Sequence, residues 1–279
     1  MQTEANQKIR QFFLVNFPPN DKFARMKTPV LFRAIALIIC LAFAGSQALF
    51  AEVADVSHYP ADPSVLPGKG PANKWGGLPG IWAQRHAEWS KTADQDHGGV
   101  VFLGDSITQG WKSLAQDFPN LKTVNRGISG DYTRGVLYRL DSDVLSLDPK
   151  AVVLLIGTND IGNNGADPSD VADNIKTIIK AIHHKYPHIP VIVCEVMPSS
   201  ATKQRPADKI EELNKLIKKD VRWNSHTYLC DTWTIFANAN GDATPDIFPD
   251  LLHPNKAGYA KWIAALNPIF AKANIQMRQ

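Results

Sequence analysis

Hydrophobic and polar positions alternate along the chain in two rhythms. Short, nearly continuous apolar runs occupy 100–103 (VVFL), 151–156 (AVVLLI), 190–196 (PVIVCEV) and 227–230 (TYLC), with a weaker run at 121–124 (LKTV). Short apolar runs rich in β-branched residues predict strands buried on both faces. Between them the spacing lengthens to three and four. Val171, Ile175, Ile178, Ile179, Ile182 and Tyr186 form one face of a helix over 169–186. Ile210, Leu213, Leu216 and Ile217 do the same from about Ala207 to Trp223, and Ala257, Tyr259, Trp262, Ile263 and Leu266 over 255–273. Upstream, Ile81, Trp82, His86 and Trp89 predict a further helix with one apolar face.

Strands alternating with helices imply an α/β domain over 81–275: a single doubly wound, flavodoxin-like, five-stranded parallel sheet with helices on both faces. Residues 52–80 are rich in Pro, Gly and Ala without periodicity, and read as a linker that wraps onto the domain or stays mobile. Residues 1–51 form an N-terminal extension. Within it, 34–44 (AIALIICLAFA) is an apolar run preceded by Lys27 and Arg33 and followed by small residues. A bilayer span needs about 20 apolar residues, so the run is too short to cross. A basic start, a short apolar centre and small residues in SQALFA describe a secretory signal peptide, cut after Ala48 or Ala51. Either Met1 or Met26 serves as the start, since the signal beginning at Met26 is complete. The expectation is a secreted or periplasmic protein with no stable membrane insertion after cleavage; an uncleaved anchor is the alternative.

That segment changes the charge balance. Six of the 30 basic residues and two of the 27 acidic ones lie within 1–51, which leaves 24 and 25 beyond it. The basic pI of 8.6 therefore belongs largely to the extension, and nothing in the remainder suggests a nucleic-acid or anionic-surface partner. Cys194 and Cys230 sit in apolar strand runs. An exported pair of cysteines can form a disulfide, but neighbouring parallel strands rarely offer the geometry, so both are expected to be free and buried.

In an open α/β sheet, sites lie beyond the carboxyl ends of the strands. Gly104-Asp105-Ser106 follows the first run, NRGISGD with Gly127 the second, GTND (Gly157–Asp160) the third, and a long loop after the last leads to DLLHPN (Asp250–Asn255). Serine before a helix is by itself usually a cap. With an imidazole and a carboxylate on the same rim, Ser106 reads instead as a nucleophile, His253 as its base and Asp250 as the group that fixes the ring's tautomer. The backbone N–H groups of Ser106 and Gly127, with the Asn159 amide, are the candidate oxyanion donors.

These four blocks, in this order, resemble those of the SGNH (GDSL-type) hydrolases. VFLGDSIT, GISGDYTRGVLYRL and LLHPNKAGYAKW are similar to segments of the catalytic subunits of platelet-activating factor acetylhydrolase Ib and their bacterial relatives. The resemblance covers about residues 82–270. It implies Ser106 as nucleophile, Gly127 and Asn159 as oxyanion donors, His253 as base and Asp250 as its orienter. It needs no metal or other cofactor, and it suggests a homodimer. Two departures stand out. Ile107 replaces the name-giving leucine, and Asp160 follows Asn159 where some acetylhydrolase subunits carry a second amide, so the leaving-group side is expected to differ.

The expected function is an exported serine esterase that hydrolyses short-acyl esters, foremost acetyl, of a carbohydrate or lipid-like alcohol. The competing expectations are a lysophospholipase or thioesterase with a longer acyl pocket, and a non-catalytic carbohydrate-binding protein on the same scaffold. His183, His184 and His188 lie at a predicted helix end, where cations suit the dipole, rather than in a ligand pattern for metal. Asp105 is expected to brace the nucleophile loop through backbone hydrogen bonds. Among the tryptophans, Trp111 is the candidate pocket wall.

Overall fold

The computed structural model describes residues 55–275; the extension at 1–51 and its expected signal peptide lie outside them. Five strands, β1 (Val100–Gly104), β2 (Thr123–Gly127), β3 (Ala151–Leu155), β4 (Val191–Cys194) and β5 (Thr227–Cys230), form one sheet in the order β2-β1-β3-β4-β5. Every pairing is parallel. The helices are α1 (Leu78–Trp89), α2 (Ala93–Asp96), α3 (Ser106–Gln109), α4 (Leu114–Asp117), α5 (Thr133–Asp143), α6 (Thr158–Gly162), α7 (Pro168–Lys185), α8 (Ala207–Arg222) and α9 (Lys256–Lys272). This is the expected doubly wound α/β fold. Its strand order reverses between β1 and β3, which opens a crevice at their carboxyl ends.

The near-continuous apolar strands follow from burial on both faces. Val101, Leu103, Val152, Leu154, Val191 and Val193 pack with Val136 and Leu140 of α5, the isoleucine stripe of α7 and Ile210 and Leu213 of α8. The alternate residues Val100, Phe102, Val153, Ile192 and Cys194 meet Trp111, Phe118 and α9 residues Trp262, Leu266 and Phe270 on the other face. Each such fully buried side chain contributes about 1.5–3 kcal/mol. Cys194 and Cys230 are register partners in β4 and β5, and both are free and buried.

Two elements depart from the periodicity. Strand β2 begins two residues later than the LKTV run and ends in Asn125-Arg126-Gly127. Arg126 is nevertheless buried, with Nε donating to the Asp143 carbonyl and Nη2 to Asp96 Oδ2 at 2.9 Å. Helix α5 has only Val136 and Leu140 as buried aliphatic residues; its remaining buried positions include Thr133, Arg134, Arg139 and Asp143. A helix that buries its charges shows no apolar stripe in the sequence.

The Pro/Gly-rich segment wraps onto the domain, and the compact unit reaches back to Asp55. Four of its carbonyls, those of Ser64, Leu66, Pro67 and Gly70, accept from the buried guanidinium of Arg134. Val56 O accepts from Trp82 Nε1, and the Tyr59 and Tyr132 hydroxyls meet at 2.9 Å. Lys69 exchanges both backbone hydrogen bonds with the Asn174 amide. Tyr59 and Leu66 join Leu78, Trp82, Trp89, Ile128 and Tyr132 in a third, smaller core. Residues 55–77 thus form a strap over the β2–α5 loop.

Candidate active site

Strand β1 ends at Gly104, whose carbonyl accepts from Ile128 N and Arg139 Nη2. The chain then turns sharply into α3. Asp105, not Ser106, caps that helix: its Oδ1 accepts from Ile107 N at 2.9 Å. The opening serine of the helix is thereby released from capping, and its Oγ lies 2.8 Å from His253 Nε2. Tyr259 of α9 pins the same helix by donating to Ile107 O at 2.8 Å.

The imidazole arrives from the last loop. Asp250 Oδ1 accepts from the N–H groups of Leu252 and His253, and Oδ2 lies 2.7 Å from His253 Nδ1. Folding the carboxylate back over three residues forces Leu251 to φ 62°, a left-handed strain of about 1–2 kcal/mol for a non-glycine residue. Partial burial works against the charge of Asp250, but the His253 N–H, its ring and the Leu252 N–H outweigh it and hold the carboxyl at about 2. An ionised Asp250 can only accept, so Nδ1 carries the ring proton and Nε2 is left as the acceptor facing Ser106.

Asn159, at the start of α6, is held by a network. Its Oδ1 accepts from Arg205 Nη2 at 2.9 Å and from Asn163 Nδ2 at 3.2 Å, while Nδ2 donates to Asp131 O at 2.8 Å. Arg205 fixes which end of the amide is oxygen. One N–H of Nδ2 remains for another acceptor. Arg205, itself buried, also donates through Nε to the Thr158 carbonyl and hydroxyl and through Nη1 to Lys203 O. Burial pulls its pKa down, against the attraction of Asp105. This residue was invisible in the sequence, because it stands in a hydrophilic loop with no motif around it.

The expectation for Gly127 needs correction. Its N–H donates to Asn125 Oδ1 at 3.0 Å, so it is not free for an oxyanion. The position excludes a side chain for a different reason: a Cβ would fall 2.3 Å from Gln109 N and 2.8 Å from Asp105 O. Gly127 lets β2 pass directly against the nucleophile turn. Three residues on, Gly130 adopts φ 82° and its N–H donates to no acceptor among the described residues. Its neighbours are anchored on both sides, Ser129 N to Gln109 Oε1 of α3 at 2.6 Å and Asp131 O to Asn159.

Two further expectations change. Asp160 does not reach the leaving-group side: it is buried, and its carboxylate accepts from Thr133 N and Oγ1. Trp111 is also buried, packed against Phe102, Phe118, Tyr259 and Trp262 beneath α3, and is a floor rather than a wall. Asp105, Asp131 and Asp160 lie together behind the site, and burial pushes them up to about 7, 6 and 6 respectively. Asp105 Oδ2 has no partner among the described residues.

An alcohol within hydrogen-bond reach of a tautomer-fixed imidazole, at the carboxyl ends of a doubly wound sheet, is an arrangement suited to acyl transfer. The sequence pattern of the GDSL-like lipase/acylhydrolase family matches residues 102–261, and the chain belongs to that family. It is 28% identical over 200 residues to the human platelet-activating factor acetylhydrolase IB subunit alpha1, covering 69% of this chain and 84% of that one. The bovine alpha2 subunit is 30% identical over 187 residues, 64% of this chain and 79% of that protein. Among solved structures, a GDSL-like lipase from Bacteroides thetaiotaomicron superposes with a TM-score of 0.60 at 25% identity, covering 68% of this chain and 97% of that one. An acetyl xylan esterase shares the fold, with a TM-score of 0.52 at 21% identity over 61% of this chain and 98% of that one. The protein is an ester hydrolase.

Proposed function

We propose that the chain is an exported esterase that removes short acyl groups, foremost acetyl, from a hydroxyl-bearing small molecule or glycan, with Ser106, His253 and Asp250 as its triad. One observation carries this reading: two short hydrogen bonds run in series, 2.8 Å from Ser106 Oγ to His253 Nε2 and 2.7 Å from His253 Nδ1 to Asp250. Ser106 Oγ attacks the ester carbonyl as its proton passes to Nε2. The Ser106 N–H, the free N–H of Asn159 Nδ2 and the Gly130 N–H are the donors for the resulting oxyanion. The imidazolium returns the proton to the departing alkoxide, and the alcohol leaves. Water then attacks the acyl-enzyme, giving its proton to Nε2, and the carboxylic acid departs as Oγ is reprotonated. Each bond and proton balances without a metal or cofactor.

Acetyl as the acyl group is supported by the likeness to acetylhydrolase subunits, and export by the composition of 26–51. An acyl-length series on purified protein tests the first: activity should fall steeply beyond about C4 for a short-acyl pocket, as loss of fit costs roughly tenfold or more per unaccommodated methylene pair. Labelling of Ser106 by an organophosphonate tests the nucleophile, and cell fractionation with N-terminal sequencing tests export. Gel filtration tests the homodimer.

A further inference from the structure

The loop that carries Gly130 has a tryptophan lying on it. A Cβ at Gly130 would come within 2.3 Å of both Cε3 and Cζ3 of Trp75, and one at Gly77 within 2.6 Å of Trp75 Cζ2. The indole therefore rests against bare backbone at both glycines, while 43% of the residue stays exposed. Its placement is enforced: the buried Asn73 donates from Nδ2 to Gly130 O at 2.6 Å and accepts at Oδ1 from Trp75 N at 2.8 Å. One side chain thus locks the strap, the indole and the Gly130 peptide together. Gly130 in turn lies between Ser129, tied to the nucleophile helix through Gln109, and Asp131, tied to Asn159. Trp223 is also highly exposed, but it follows α8 just ahead of β5, toward the amino end of that strand rather than the carboxyl ends where the site lies.

We propose that Trp75 is a specificity-determining residue: its exposed indole is the platform on which a pyranose ring of an acetylated glycan lies while the acetyl carbonyl faces Ser106. The proposal rests on the esterase reading above and adds the substrate class. An indole face is electron-rich and attracts the polarised C–H bonds on the flat side of a sugar ring. An acyl chain calls for an enclosed apolar slot; this platform is instead exposed to water, and the polar border of its loop is Ser129, held by Gln109 Oε1. An amphipathic ring with hydroxyls on its edge fits that border, and a hydrocarbon tail does not. The platform also comes from the strap, a part of the chain outside the residues that match the family pattern.

The test compares Trp75→Ala and Trp75→Phe with the unmodified protein on acetylated xylo-oligosaccharides and on ethyl acetate, with acetate release as the readout. Trp75→Ala should raise KM for the oligosaccharide about 5- to 10-fold, from the loss of one stacking contact. Its kcat on the oligosaccharide and both constants on ethyl acetate should stay within about twofold, and Trp75→Phe should recover most of the loss. Equal losses on both esters, or no change on either, would overturn the platform. Binding is read separately in the Ser106→Ala background, where the oligosaccharide should quench intrinsic fluorescence saturably and the added Trp75→Ala should weaken that binding by the same factor. Unchanged binding in the double variant overturns the proposal even in an active enzyme. Failure of the esterase reading looks different: no acetate from any ester and no organophosphonate label, with the binding comparison still decisive for Trp75.

Discussion

The Asn159 side chain is anchored in buried protein, whereas around His253 the side chains stand close to water. Asn159 is 3% exposed and gripped by Arg205, Asn163 and the Asp131 carbonyl. The Asp250 and His253 side chains are 47% and 42% exposed, and their order comes from a four-residue turn that closes on itself. In the proposed roles, the donor side is preorganised by long-range tertiary contacts, and the base side by local geometry. Oxyanion donors must be in place before charge develops. A base that exchanges protons with an alcohol and with water gains from an open position. Damage to the first region should spread, and damage to the second should stay local.

The largest expected effect breaks the relay itself. Ser106→Ala should lower kcat by about 10⁴–10⁶ with an unchanged urea midpoint, read by acetate release and denaturation. Next, Asp250→Asn turns an obligate acceptor into a donor toward Nδ1 and disfavours the productive tautomer, for about 10³–10⁴ in kcat with little change in stability. Asn159→Ala should cost about 10²–10³ in kcat, with KM for ethyl acetate moving less. Arg205→Gln sharpens the contrast: without touching the reacting atoms, it should lower kcat about 10- to 100-fold and also lower the urea midpoint, because it frees the Asn159 amide and breaks a buried network. A stability loss from Asp250→Asn as large as that from Arg205→Gln would abolish the distinction.

The smallest effect is on stability against pH, and its sign is unusual. Asp105, Asp131 and Asp160 bind protons more tightly folded, at about 7, 6 and 6, than the ordinary aspartate does at about 4. Their contribution is full below about pH 4 and is lost as pH rises toward about 7. Asp250, held at about 2, works oppositely: its share is present above about 4 and fades as pH falls toward 2. Half exposure keeps that share small. Urea midpoints from pH 5 to 8 should fall in the parent protein and flatten in Asp105→Asn.

The strands and the three long helices were legible because apolar periodicity is written locally. The members of the proposed triad were legible as candidates because GDS follows β1 directly and DLLHP is a compact motif, and the structure brings the three side chains within hydrogen-bond reach. What escaped notice is polar and buried. Helix α5 hides behind Arg134, Arg139 and Asp143, and Arg205 reaches Asn159 from 46 residues away with no flanking signal. Gly127 looked like a donor because sequence records a glycine's position, not whether its N–H is already taken. Trp111 looked like a pocket wall for a related reason: closeness to the nucleophile in sequence does not show that the indole is sealed under α3, while Trp75, from a Pro/Gly-rich stretch, is the one left exposed.

The guanidinium of Arg134 behaves like a knot that gathers four carbonyls from Ser64 to Gly70. The proposed signal cut after Ala48 or Ala51 would leave that knot tied. A cut ten to twenty residues deeper would strand a buried cation, loosen the mooring of Asn73 and unsettle the rim without removing any member of the triad. How deeply such trimming could reach is set from inside the fold, by an arginine on the helix that links β2 to β3.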